Sequence, residues 1–140
     1  MTIDERAEKA VEYKSRGYNC AQAVVKACED LVGSDSAELV KAAAGFGGGM
    51  GCMEATCGAL IGANMIAGLK TNGSGTVRFS RQMLQDFNDA CGATVCKDLK
   101  GRDTGVVLCP CDDCVRNAVK ALGKNMEINH DQSVRPLTHS

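Results

Sequence analysis

Tryptophan is absent from this 140-residue chain, and its aromatic side chains amount to three Phe and two Tyr. An excess of one charge is missing too: 16 Lys and Arg are mixed with 17 Asp and Glu, for a net charge of −1. A nucleic-acid platform needs a basic face, and a single-strand binder needs stacking rings as well. The chain offers neither, which excludes nucleic acid as a partner. Long apolar runs are also lacking. The longest lies around Leu60–Leu69 and is interrupted by Asn64, far short of the roughly 20 residues of a membrane span. The opening MTIDERAEKA carries acidic residues and no apolar stretch of the kind a secretion leader has. A cytoplasmic protein with no membrane span is the expectation. Alternating β-branched runs of strand length are absent throughout, so the reading is helical.

Cysteine and glycine are what the chain has in plenty. Nine cysteines stand at Cys20, Cys28, Cys52, Cys57, Cys91, Cys96, Cys109, Cys111 and Cys114. In a reducing compartment a disulfide framework is disfavoured, and thiol chemistry or metal binding gains weight. The odd number also speaks against a fully paired set. Five glycines crowd the seven residues GFGGGMG at 45–51, more than a simple helix connection needs. The segment lacks the Lys-Ser/Thr and the preceding strand of a phosphate loop. Its expected use is close backbone approach to a neighbouring helix or a thiol, through Gly47, Gly48 and Gly49, with Gly58 beyond them.

The length fits one domain. TIDE at Thr2–Glu5 reads as a capping box opening a first helix that ends near Gly17. Asn19 caps a second, with Cys20, Val24, Ala27 or Cys28 and Leu31 on one face and Gly33 as its stop. A third follows Ser34 or Asp35, and a fourth runs from about Glu54 to Leu69 behind the glycine segment. TNGSG at 71–75 is a turn. A fifth helix presents Phe79, Met83, Phe87 and Cys91 on one face. A short one around Cys96 stops at Gly101, and the last ends at Gly123. These predict an all-α single-domain bundle of five to six helices over 1–123, with a mobile polar tail over 124–140 holding His130 and His139. The fourth helix, with Gly58, Gly62, Ala59, Ala63 and Ala67 at i, i+4 spacing, should be central, packed closely against a neighbour or a second copy of the chain.

Four thiols fall at or near helix starts: Cys20, Cys57, Cys96 and Cys114. Unpaired N–H groups and the positive dipole end favour thiolate there. Glu54, Asp112 and Asp113 oppose that effect, and Lys97 and Arg116 support it. Cys28 and Cys91 lie on apolar faces, where cysteine serves as a small core residue. CMEATC and CGATVC share a C-x4-C spacing, and CPCDDC holds C-x-C and C-x2-C; each is an incomplete form of a zinc or iron–sulfur pattern.

Taken together, YNCAQAV at 18–24, GFGGGMG at 45–51, CGALIGA at 57–63, GLK at 68–70, CKDLKG at 96–101 and CVRNA at 114–118 resemble the C_GCAxxG_C_C family, small proteins described as redox-active. The resemblance maps the family's four thiols onto Cys20, Cys57, Cys96 and Cys114, and implies that they act together. Cys28, Cys52, Cys91, Cys109 and Cys111 are additions to that pattern, with Cys52 standing where related sequences often carry Arg. Three functions follow. In the first, Cys57 or Cys20 attacks a small disulfide or a redox partner protein, and Cys96 or Cys114 resolves the product. In the second, the same four thiolates ligate Zn or an Fe–S cluster. In the third, the thiols fill the core of a helical module that acts through a partner.

Overall fold

The computed structural model describes residues 1–33 and 37–126. Among them are seven α-helices and no strand: α1 (Ile3–Ser15), α2 (Cys20–Ala27), α3 (Ala37–Ala43), α4 (Gly58–Lys70), α5 (Thr76–Cys91), α6 (Cys96–Lys100) and α7 (Cys111–Met126). Five of these build the bundle, and the short α3 and α6 flank it. Ser34 and Asp35, the expected lead into α3, lie outside the described residues, as do 127–140 of the expected tail.

Both expected N-caps form. The Thr2 hydroxyl accepts from the Glu5 N–H at 3.1 Å while the Glu5 carboxylate accepts from the Thr2 N–H at 2.7 Å. Asn19 and Gln22 repeat the reciprocal arrangement at the head of α2, at 2.9 and 3.1 Å. Each such cap satisfies two donors that no turn of helix can reach. The second helix is shorter than its apolar register implied. It closes at Cys28, and a tight turn over Glu29–Leu31 brings Asp30 back to the fully buried Arg6 of α1, at 2.6 Å. Arg6 also donates to the Ala27 carbonyl at 2.8 Å, which locks α1 to the end of α2.

The core is apolar and made of small residues. α4 packs against α2, α5 and α7, and it buries Ala59, Leu60, Ala63, Ile66 and Ala67. Complete burial of a Leu, Ile or Phe side chain such as Leu60, Ile66 or Phe87 contributes roughly 1.5–3 kcal/mol each. The small-residue ridge works as expected: a Cβ on Gly62 would sit 2.6 Å from the Ala21 carbonyl oxygen of α2.

Two further boundaries differ from expectation, for separate reasons. The fourth helix starts at Gly58 rather than Glu54, because residues 55–57 are extended and pair with 94–96. The Cys57 N–H donates to the Thr94 carbonyl at 2.8 Å, and the Cys96 N–H to the Ala55 carbonyl at 3.0 Å. Cys57 therefore stands at the N-cap position of α4, outside its first turn, and makes no side-chain capping hydrogen bond. The last helix runs through Gly123 to Met126. Gly123 does not stop the helix; it marks a close approach, since a Cβ there would collide with the Ile3 side chain of α1.

Candidate functional site

The glycine segment folds into a tight irregular turn rather than a loose link. Gly48, Gly49, Met50 and Gly51 all hold positive φ, from 60° to 79°, a region open to glycine and uncommon for Met. The turn lies against the thiols. A Cβ on Gly49 would come within 2.6 Å of the Cys96 Cβ, and one on Gly47 within 2.6 Å of the Asn19 side chain. On the facing helix, a Cβ on Gly58 would lie 2.8 Å from the Cys20 Sγ and closer still to the Phe46 carbonyl oxygen. The Asn19 amide, which caps α2, also donates to the Ala44 carbonyl at 2.8 Å and holds the turn down.

Beside this turn a surface cavity of about 310 Å³ is lined by Cys20, Cys57, Cys96 and Cys111, with Lys14 and Lys100 at its wall. Three of the four thiols singled out in the sequence thus meet in one place, and the fourth sulfur there is that of Cys111. Cys114 lies behind the cavity, fully buried, in hydrogen-bond contact with Cys57.

The thiols are not equivalent. The Cys111 thiol donates to the Cys20 sulfur, and that bond is the main force pulling Cys20 down from 9.0 to about 7, against burial; the Gly48 N–H and the Lys100 ammonium act in the same direction. Donation costs Cys111 in turn, and together with burial it pushes that thiol well above the usual range. Cys57 is also pushed far up, by its hydrogen bond to Cys114 and by burial. The Ala59 and Leu60 N–H groups face its sulfur and pull the other way, without closing a cap. Burial raises Cys96. Cys114 receives a hydrogen bond from Cys57, which lowers it, but contact with Cys91 and burial outweigh this and leave it raised.

A helix start alone does not decide which thiol ionises. Of Cys20, Cys57 and Cys96, which all stand at helix starts, only Cys20 is lowered, because a thiol donor is aimed at it; Cys114 has such a donor in Cys57, but contact with Cys91 and burial outweigh it. The carboxylates expected to oppose ionisation are each paired with a cation. Glu54 pairs with Lys97 and Arg102, Asp112 with Lys14, and Asp113 with Arg116. The cation that does face the thiols is Lys100, which sequence reading passed over. It stands one helical turn beyond Cys96 on α6, and that spacing was its available signal. Burial pulls Lys100 down, yet the sulfurs of Cys111, Cys114, Cys57 and Cys96 around it more than compensate.

A second sulfur cluster lies deeper. The Sγ atoms of Cys91, Cys109 and Cys114 are all within 4.8 Å of one another and all buried, a spacing that can hold a metal ion. Among the described residues this is the one such group, and it contains Cys114 alone of the four thiols expected to act as ligands. Cys91, at the end of α5, is a wall of this cluster as well as a core residue. Cys109 and Cys114 form a third C-x4-C pair within CPCDDC, which the shorter spacings in that motif had masked.

No helix among the described residues is long and apolar enough to cross a membrane. Comparison with curated proteins and with solved structures gives no match. The family model described as "Putative redox-active protein (C_GCAxxG_C_C)" matches residues 18–125. With its thiols gathered around a glycine turn and its match covering most of the chain, the protein belongs to the C_GCAxxG_C_C family.

Proposed function

We propose that the protein is a thiol–disulfide oxidoreductase in which Cys20 is the attacking thiolate and Cys111 the resolving thiol. The observation that carries this reading is that Cys20 and Cys111 line the same cavity beside Lys100; the contact between the two thiols lowers Cys20 to about 7 and raises Cys111. A thiol with a pKa close to ambient pH is the best compromise between thiolate fraction and nucleophilicity.

In the first step the Cys20 thiolate attacks one sulfur of a substrate disulfide. A Cys20–substrate disulfide forms, the substrate S–S bond breaks, and the second substrate sulfur leaves as a thiolate. That leaving thiolate takes the Cys111 proton. The Cys111 thiolate then attacks Cys20, forming the Cys20–Cys111 disulfide and releasing the first substrate sulfur. Two electrons pass from the dithiol to the substrate. A cavity of about 310 Å³ flanked by Lys14 and Lys100 suits a small disulfide bearing carboxylates. A partner protein presenting such a disulfide is the other substrate class. The reading fits a reducing, cytoplasmic setting, in which the dithiol is regenerated.

The test is to react fully reduced protein with oxidised glutathione and map the products by peptide mass. A Cys20–glutathione adduct that accumulates in Cys111→Ser and gives way to a Cys20–Cys111 disulfide in the wild type is the expected result. A Cys20→Ser protein that forms adducts at the wild-type rate would overturn the assignment.

A further inference from the structure

We propose that Cys91, Cys109 and Cys114 form a binding site for one thiophilic divalent ion, of which Zn(II) is the representative, separate from the exchanging pair at the cavity. Three sulfurs about 2.3 Å from a common zinc lie roughly 3.8–4.0 Å apart. The three Sγ atoms here already fall within 4.8 Å of one another, so the ligand set closes by adjusting side chains.

The chain holds the three ligands in place by independent means. Cys91 ends α5 on its buried face, and Gly92 at φ 91° turns the chain away directly after it. Cys109 is fixed by its N–H donating to the Leu99 carbonyl at 3.2 Å, and the Cys114 N–H donates to the Pro110 carbonyl at 2.9 Å as α7 begins. Donors also point at two of the sulfurs. The Asn117 amide donates to the Cys91 Sγ at 3.3 Å, and the Lys100 Nζ to the Cys114 Sγ at 3.8 Å. Such outer partners orient ligands and tune the metal.

Charge favours a divalent ion. Three thiolates bring −3, a divalent metal +2 and the Lys100 ammonium +1, which sums to zero in a buried site where net charge is costly. A monovalent ion leaves −1. Carboxylates are absent from the triad, which disfavours magnesium and calcium.

The experiment is anaerobic titration of the reduced full-length protein with Zn(II) against a chromophoric chelator, followed by thiol footprinting with a maleimide. One equivalent bound, with Cys91, Cys109 and Cys114 protected and Cys20 and Cys111 still labelled, is the expected outcome. Asn117→Ala should weaken binding by about 10–100-fold, and Cys20→Ser should leave it unchanged. Cys109→Ser should remove the bound equivalent; should that variant fail to fold, the test is carried by the wild type, in which adding Zn(II) should slow labelling of Cys91, Cys109 and Cys114 relative to the metal-free protein in mild urea that lets buried thiols label. Absence of a tightly bound equivalent, or protection of Cys20, Cys57 and Cys96 instead, would overturn the proposal. Exchange at Cys20 and Cys111 is read by different residues, so either result stands apart from the oxidoreductase reading.

Discussion

Replacing Cys111 with alanine removes the donor that most lowers the Cys20 thiol, and the consequence can be worked through from the structure. With a pKa of about 7, roughly half of Cys20 is thiolate at pH 7; at its ordinary 9.0 the fraction is about 1%. The gain in thiolate is about 50-fold. Part of it is offset, because a less basic thiolate is a weaker nucleophile: with a Brønsted slope of about 0.4–0.5, the fall from 9.0 to about 7 costs roughly 6–10-fold. The net advantage at pH 7 is therefore about five- to eightfold. Cys20 is only 7% exposed, which slows every reaction by a common factor, so the midpoint of the pH–rate profile is a cleaner readout than the rate itself. The assay is exchange with a small aromatic disulfide between pH 5 and 10, with the modified residue identified by peptide mass. Wild-type Cys20 should show a midpoint near 7, and Cys111→Ala should move it upward, so that the thiolate present at pH 7 falls about fivefold over the first whole pH step the midpoint climbs and nearly tenfold over the next. A wild-type midpoint near 9, or a midpoint unmoved in Cys111→Ala, would refute the argument.

Three further outcomes are expected. Gly58→Ala should destabilise the fold by about 1–3 kcal/mol and change Cys20 reactivity, because the new methyl meets the Phe46 carbonyl and the Cys20 sulfur. Gly123→Ala should cost less despite an equally close contact, since the Ile3 side chain it meets can rotate; equal losses in urea unfolding would contradict this. At alkaline pH the buried Cys28, pushed up to about 12 by burial, stabilises the fold below its unfolded pKa of 9. That contribution is lost as pH rises from 9 towards 12, at up to about 1.4 kcal/mol per pH unit. Cys20, being lowered, works in the opposite sense between pH 7 and 9. Thermal melts of Cys28→Ala should therefore fall less steeply above pH 9 than those of the wild type, and parallel slopes would argue against it.

Local signals were legible in the sequence wherever the physics was local. The Thr2–Glu5 capping box, the Asn19 cap, the αL glycine Gly101 and the apolar face of α5 depend on residues close in sequence, and each was readable. Cys57 was placed in the wrong turn because its true neighbour is Thr94, whose pairing with it no spacing reveals. Gly123 looked like a helix stop because a close approach by Ile3, from the far end of the chain, leaves the same mark as a turn. For the candidate site, the gathering of Cys20, Cys57 and Cys96 was foreseeable from the helix starts and the family pattern. Cys111 and Lys100 were not, since their roles come from what α6 and α7 face after packing. The Cys91–Cys109–Cys114 cluster joins two helices and a loop, so its parts read separately as core filler and as fragments of incomplete motifs.

The hydrogen bonds to Cys20 come from Gly48 in the middle of the chain and from Cys111 near its end, which gives the protein a timing property. While the chain is being synthesised, Cys20 emerges early with neither partner made, and it remains an ordinary thiol that is almost fully protonated at neutral pH. It acquires its reactive form only when α7 has been made and has docked. The lowering of this one sulfur therefore depends on α7 having docked beside the glycine turn, and it is absent from a nascent or unfolded copy.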